Sequence, residues 1–223
     1  EGTVCSIAFV KDTLFPYAIK ALPQVLATKW EEPEFAQYRD AFPEEHRQSP
    51  GALQAHVEDL TKRDVKIAYL KNLQGYLWET GYKTGAYGTE LFPDVVPQLR
   101  QWRDSGFELA IYSSGSIFAQ KLLFGHVQVA SGTAASSSPH WFDTTNAGLK
   151  TESTSYSKIA EALKRKPEEV LFLSDNVKEV DAAIEAGMKS IVVDRPGNAP
   201  LADADKERLQ IVTSLADVHV SKS

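Results

Sequence analysis

The chain has one cysteine, Cys5, so it can form no intramolecular disulfide, and a reducing compartment is the natural setting. With no base motif beside it, this thiol reads as a small half-buried filler and not as a nucleophile. No stretch approaches the roughly 20 apolar residues of a membrane span, and no signal-peptide pattern is visible. The expectation is therefore a soluble protein without a membrane partner, cytoplasmic, with the nucleus also open to it. Positive charge is in short supply: 24 Lys and Arg stand against 30 Asp and Glu, a net charge of −6. That excludes the clustered basic footprint of a nucleic-acid binder, although an anionic ligand needs only a local positive patch. The five histidines, His46, His56, His126, His140 and His219, lack i, i+4 or short-loop spacing, so no zinc motif is expected. Internal repeats are missing too.

What is present is enough for one large domain, or for a core with a smaller inserted module, in 223 residues. The chain begins Glu1-Gly2-Thr3-Val4, a carboxylate, a glycine and a threonine in the manner of a loop leaving a β-strand, with no strand ahead of it. Leu14, Ala18, Leu22 and Val25 then recur at three- and four-residue steps, which predicts a helix from Phe15 to Trp30. Pro16 suits its first turn, and Pro23 kinks it or marks a boundary. Residues 31–51, rich in Glu, Pro and Gln, read as a solvated loop or a short helical piece. Leu53, Val57 and Leu60 mark a second helix, and Leu70, Leu73 and Leu77 a third, after a charged break at Lys62-Arg63-Asp64. Gly81, Gly85 and Gly88 read as a flexible return linker.

From Asp94 onward the pattern changes. A helix to Arg103 stops at Ser105-Gly106. A strand (Phe107 to Tyr112) is followed by polar Ser113-Ser114-Gly115-Ser116 and a helix to Phe124. After a Ser- and Ala-rich surface loop over residues 129–139, a helix runs from about Ser153 to Lys164. The strand Val170 to Leu173 ends in Ser174-Asp175-Asn176, a helix ends at Ala186-Gly187, and the strand Ser190 to Val193 ends in Asp194-Arg195-Pro196-Gly197. This alternation predicts an α/β fold with a parallel, doubly wound sheet, whose ligands bind beyond the carboxyl ends of the strands. Ser113-Ser114, Ser174-Asp175 and Asp194 should then line one rim.

Each candidate on that rim has two readings. Ser113 and Ser114, ahead of a helix, suit a phosphate cradle; taken alone, helix capping explains them as well. Without a Gly-x-Ser-x-Gly elbow they are not a serine-hydrolase nucleophile. Asp175, with Glu179 one helical turn later, suits a hard cation such as Mg²⁺ that takes few protein oxygens, or else a capping Asp and a solvent-facing Glu. Lys150, in Gly148-Leu149-Lys150-Thr151-Glu152, gains interest only from this company, since a fixed ammonium balances phosphate charge.

In this order the pieces resemble the four motifs of the haloacid dehalogenase superfamily of phosphohydrolases: a strand ending in Asp-x-Asp, a strand ending in Ser or Thr, a loop Lys, and a strand ending in an acidic pair. Longer blocks extend the resemblance across nearly the whole chain. Glu1-Gly2-Thr3-Val4-Cys5-Ser6, Leu73-Gln74-Gly75-Tyr76-Leu77-Trp78, Ile111-Tyr112-Ser113-Ser114-Gly115-Ser116, Leu171-Phe172-Leu173-Ser174-Asp175 and Arg195-Pro196-Gly197-Asn198-Ala199 are similar to the enolase-phosphatase family of methionine salvage, in its fungal form.

The resemblance implies a Rossmann-like parallel core, residues 1–11 and 93–223, with an all-helical cap inserted over residues 12–92. It also implies a Mg²⁺-dependent bifunctional reaction. A 2,3-diketo-5-methylthiopentyl 1-phosphate is enolised and then dephosphorylated to the acireductone 1,2-dihydroxy-3-keto-5-methylthiopentene. In that family the first motif reads Asp-Ile-Glu-Gly-Thr. Glu1 matches its Glu, as general acid/base and metal ligand, and the nucleophilic Asp with its strand falls before Glu1. The expectation is a record cut short ahead of that strand. Asp175 is the other implied metal ligand, Ser113 and Ser114 hold substrate, Lys150 holds the phosphoryl group, and Glu179 orients the metal cluster. A monomer acting on a small phosphoester is the family expectation. Two alternatives stand beside it: a phosphatase of the same superfamily for another small phosphoester, and a non-catalytic phosphate-ester-binding protein.

Overall fold

The computed structural model describes residues 1–127 and 140–221, so the Ser- and Ala-rich segment 129–139 lies outside the described residues. The chain divides into two compact units, residues 10–88 and residues 1–9 with 89–223.

The unit of residues 10–88 is helical. It comprises α1 (Phe15–Lys29), α2 (Pro33–Arg39), α3 (Pro50–Lys62) and α4 (Ala68–Lys83). Its core is the set of apolar positions that the helical period marks, Ala18, Leu22 and Leu26 on α1 with Leu53, Val57 and Leu60 on α3 and Leu70, Leu73 and Leu77 on α4. Pro23 ends nothing: α1 runs through it to Lys29.

Of the two readings of residues 31–51 the short helical piece holds, as α2 and a single turn at Glu44–His46, and Phe35 on α2 and Phe42 beyond it are buried in this core. A seven-residue helix is too short for its period to be read, so these anchors are invisible to a pattern search. One expectation needs correction. Gly81 is not part of a linker but lies inside α4. A Cβ there would stand 2.6 Å from the Tyr87 ring and 2.7 Å from the Tyr17 ring, so the glycine makes room for two aromatics. The histidine spacing also concealed a contact: His46 and His56 stack with ring centroids 3.6 Å apart.

The second unit is α/β. In chain order it contains α5 (Val95–Asp104), β1 (Ala110–Tyr112), α6 (Ile117–Gly125), β2 (His140–Phe142), α7 (Ser153–Ala162), β3 (Leu171–Ser174), α8 (Val177–Glu185), β4 (Lys189–Val193), α9 (Asp203–Arg208) and β5 (Ile211–Val212). Every pairing between these strands is parallel, as the alternation predicted. The strands fall into two sheets, however, one of β1 and β2 and one ordered β3-β4-β5. Strands β2 and β5, of three and two residues, are too short to show a period.

β1 is half the length expected, and the helix cap accounts for the first of the residues lost. Phe107 donates its N–H to Trp102 O and Gly106 donates to Arg103 O, closing α5 with Gly106 at a φ of +78°. Phe107 is thus spent on a Schellman motif before the strand can start. The same pair of bonds closes α8 at Gly187. It also closes α7, where Lys164 takes a left-handed φ of +55° without being a glycine. Helix faces pack on the strands in two clusters. Val95 and Trp102 of α5 meet Ile191, Val193 and Val212, while Tyr156 and Ile159 of α7 meet Ala182, Ala183 and Phe142.

Candidate active site

Strand β3 ends in Ser174, and Asp175 follows it into the loop that starts α8. Asn176 caps that helix by accepting from Lys178 N–H, so Asp175 is not needed as a cap. Its carboxylate instead meets the start of the chain. Thr3 Oγ1 donates to Asp175 Oδ1 at 3.0 Å, and the Asp175 N–H donates back to Thr3 Oγ1 at 3.2 Å. Gly2 lies against the same carboxylate with a φ of +73°; a Cβ there would sit 2.2 Å from Oδ2. Only glycine tolerates both the conformation and the approach.

The backbone of this loop is held from outside. Asn198 Nδ2 donates to Gly2 O at 3.0 Å and Arg195 Nε to Thr3 O at 3.1 Å. Arg195 is itself buried and grips Asp94 with both terminal nitrogens, at 2.9 and 2.7 Å, while also donating to Thr213 O. Its guanidinium lies 4.6 Å from the centroid of Phe92. Burial pushes the Asp94 carboxyl up, but the Arg195 guanidinium and the Leu215 N–H outweigh it and hold the group below the usual range. Neither Arg195 nor Asn198 stood out on its own in the sequence, because the burial of a charge leaves no local signature; only the Arg195-Pro196-Gly197-Asn198 block marked them.

One residue before Asp175, Ser174 Oγ donates to Glu179 Oε2 at 2.6 Å, and that oxygen also pairs with Lys150 Nζ at 2.5 Å. Glu179 therefore faces the lysine, so the Asp175–Glu179 spacing reports a helix turn and not a shared contact. Lys150 Nζ stands 5.7 Å and 5.8 Å from the ring centroids of Tyr112 and Phe172. Glu1 is exposed at the head of the Gly2-Thr3 loop. Ser113 and Ser114 follow β1, as expected. The Ser113 hydroxyl accepts from Gly115 N–H, and Ser116 is the residue that caps α6, accepting from Ala119 N–H. Ser114 is exposed in the same turn. Cys5 is fully buried. Burial pushes its thiol up, and the Glu1 and Asp175 carboxylates add to the rise, which makes it a poor nucleophile.

Two pairs of site elements are thus brought together, the Gly2-Thr3 loop with Asp175 and Lys150 with Glu179, joined through the adjacent Ser174 and Asp175. A family model described as haloacid dehalogenase-like hydrolase matches residues 1–187. Enolase-phosphatase E1 of Podospora anserina is 56% identical over 220 residues, covering 98% of this chain and 94% of that protein. The chain belongs to the enolase-phosphatase family. Enolase-phosphatase E1 of Neurospora crassa is 54% identical over 98% of this chain and 94% of its own length. The crystal structure of the Unknown transcript 4 protein of Saccharomyces cerevisiae matches with a TM-score of 0.84 at 38% identity, over 98% of this chain and 96% of that one. A phosphate complex of CbbY from Rhodobacter sphaeroides, at 15% identity and a TM-score of 0.57, shares the fold alone.

As an enolase-phosphatase family member the chain is a phosphatase enzyme, and the reading as a non-catalytic binder falls. Phosphatases of this superfamily generally use Mg²⁺, and the donor set suits that ion. Among the described residues no three His, Cys, Asp or Glu side chains gather into an ion site. Mg²⁺ asks for less, one or two carboxylates completed by water and substrate phosphate. Asp175 offers one such carboxylate, held by Thr3 at Oδ1 and packed against the loop backbone at Gly2, where a side chain would displace it. Among the described residues no helix is long and apolar enough to cross a membrane.

Proposed function

We propose that this enzyme enolises 2,3-diketo-5-methylthiopentyl 1-phosphate and then releases phosphate to give the acireductone 1,2-dihydroxy-3-keto-5-methylthiopentene, a step of methionine salvage, with Mg²⁺ as cofactor. The observation that carries the reading is the 56% identity to an enolase-phosphatase across 98% of the chain, combined with the Thr3–Asp175 pairing that seats the Glu1-Gly2-Thr3 loop.

Glu1 and Asp175 are the residues that would hold the ion, which when bound neutralises phosphate charge and acidifies the C–H beside a coordinated carbonyl. The family's nucleophilic aspartate falls two residues before Glu1, outside these 223 residues, so the steps assigned here belong to residues within them. Lys150 binds the phosphoryl oxygens and balances their charge during in-line transfer. Glu179 pairs with the Lys150 ammonium and holds it in place, with Ser174 fixing its oxygen. Ser113 and Ser114 supply hydroxyls to the organic part of the substrate at the end of β1.

Glu1 carries three proton transfers. Its carboxylate accepts the carbon-bound proton in enolisation. As the acid it then gives a proton to the leaving oxygen, and as the base it activates the water that completes hydrolysis. Its extra methylene over Asp provides the reach to carbon. With the purified enzyme, Glu1→Asp should slow enolisation more than phosphate release from a pre-enolised analogue; equal losses would count against the assignment. Phosphate release from the diketone ester, set against a panel of sugar phosphates, tests the substrate.

A further inference from the structure

The loop that carries Lys150 is held in a way its exposure does not require. Three consecutive carbonyls, those of Gly148, Leu149 and Lys150, each accept from a different side-chain hydroxyl. Tyr112 Oη donates to Gly148 O at 2.8 Å, Ser155 Oγ to Leu149 O at 2.8 Å, and Tyr156 Oη to Lys150 O at 2.7 Å. The donors come from β1 and from the first turn of α7, and Tyr156 is fully buried.

A surface loop satisfies its carbonyls with water at almost no cost, and Leu149 in the middle of this one is 55% exposed. Spending three ordered hydroxyls on adjacent carbonyls fixes every peptide plane leading into the lysine. The glycine at 148 belongs to the same device. It takes a φ of +121°, and a Cβ there would stand 2.5 Å from Ser155 Oγ. Tyr112 acts twice, since its ring lies under the Lys150 ammonium while its hydroxyl holds the loop. Burial pushes both phenols up, so they remain donors throughout the working range.

We infer that Tyr112, Ser155 and Tyr156 are positioning residues, which set the height and direction of the Lys150 ammonium over the phosphoryl site by pinning the three carbonyls of its loop. This rests on the reading of Lys150 as the phosphoryl ligand. A misplacement of about 1 Å in such a group can lower a rate by about 100-fold, which the loss of one buried hydroxyl need not reach.

The test uses inorganic phosphate as the probe, through its product inhibition of the holoenzyme, alongside KM and kcat. Four variants are compared: Lys150→Met, Tyr156→Phe, Tyr112→Phe/Tyr156→Phe, and Lys150→Met/Tyr156→Phe. The expected result is that Tyr156→Phe weakens phosphate inhibition about fivefold and the double Tyr variant about tenfold or more, roughly 1–1.4 kcal/mol. In the Lys150→Met background the Tyr156→Phe change should add less than about twofold, because it acts through the lysine. If Lys150→Met itself leaves phosphate inhibition unchanged, the reading of Lys150 fails and the inference with it. If Lys150→Met weakens inhibition but Tyr156→Phe lowers only the melting temperature, or adds its full factor in the Met background, the inference alone is overturned.

Discussion

Replacing Arg195 with Met should be the most damaging single change to the α/β unit outside its apolar core. The Arg195 side chain is 4% exposed and that of its partner Asp94 17%. The substitution removes both hydrogen bonds to Asp94 and the donors to Thr3 O and Thr213 O, leaving the Asp94 carboxylate the Ser214 hydroxyl and the N–H groups of Leu215 and of Asp94 itself. Removing one partner of a buried ion pair costs about 3–5 kcal/mol. Against a total stability of about 5–15 kcal/mol that is a large share. The pH dependence checks the cause. In the native protein the Asp94 carboxyl is held below its ordinary range, so the pair's contribution is complete above that range and is lost as pH falls through the folded value. Without Arg195 the strongest of the lowering contacts is lost while burial remains, so the folded carboxyl titrates higher than in the native protein and its pH-dependent contribution shrinks. The gap between native protein and Arg195→Met should therefore be widest near pH 7 and shrink as the pH falls below the ordinary carboxylate range, toward about pH 3. Urea unfolding at the two pH values measures it. Adding Asp94→Asn should restore part of the loss at pH 7, since no bare charge then remains buried. A penalty below about 1 kcal/mol, far under the buried-pair range, or one equal at both pH values, would refute the reasoning.

Two further outcomes follow from backbone geometry. Gly2→Ala places a methyl where the Asp175 carboxylate stands, at a φ of +73°. It should lower kcat by about 100-fold or more with little change in melting temperature, because one or other of two site elements must move. Lys164 occupies the left-handed closing position of α7 at a φ of +55°. Lys164→Gly should stabilise the protein by about 1 kcal/mol, read as a higher urea midpoint at unchanged slope, with activity unaltered.

How far the sequence can be read depends on the length scale of what holds each element. Leu53, Val57 and Leu60 declare α3 because its burial repeats with the helix turn, and the same holds for Leu70, Leu73 and Leu77 on α4. Phe35 and Phe42 escape because their helical neighbours are too few to make a period, although both end as deep in the core as any leucine. Strands β2 and β5 escape for the same reason. In the site, Asp175 and Lys150 were legible from their place after a strand and before a helix. The residues that hold them were not. Tyr156 carried no signal, Tyr112 showed only as the end of a strand, and Arg195 and Asn198 only as members of a longer block, since each takes its role from a partner 6 to 196 positions away. Glu179 was read by its spacing from Asp175, and spacing alone could not show that its oxygen turns to Lys150.

Those separations also set an order of assembly during synthesis. Thr3 waits for Asp175, 172 residues on, and for Arg195, 192 residues on; Gly2 waits for Asn198. At the ribosome's pace of about 5–20 residues per second, roughly ten to forty seconds separate the emergence of the two halves of this contact set. Residues 10–88 close their own core within that interval, since every contact it needs is already outside the tunnel. Loop closure over such spans is entropically late, so the Thr3–Asp175 and Arg195 contacts should be absent from the folding transition state. Weakening them would then quicken unfolding and leave the folding rate almost untouched, making this corner of the enzyme the place that governs how long the folded chain lasts.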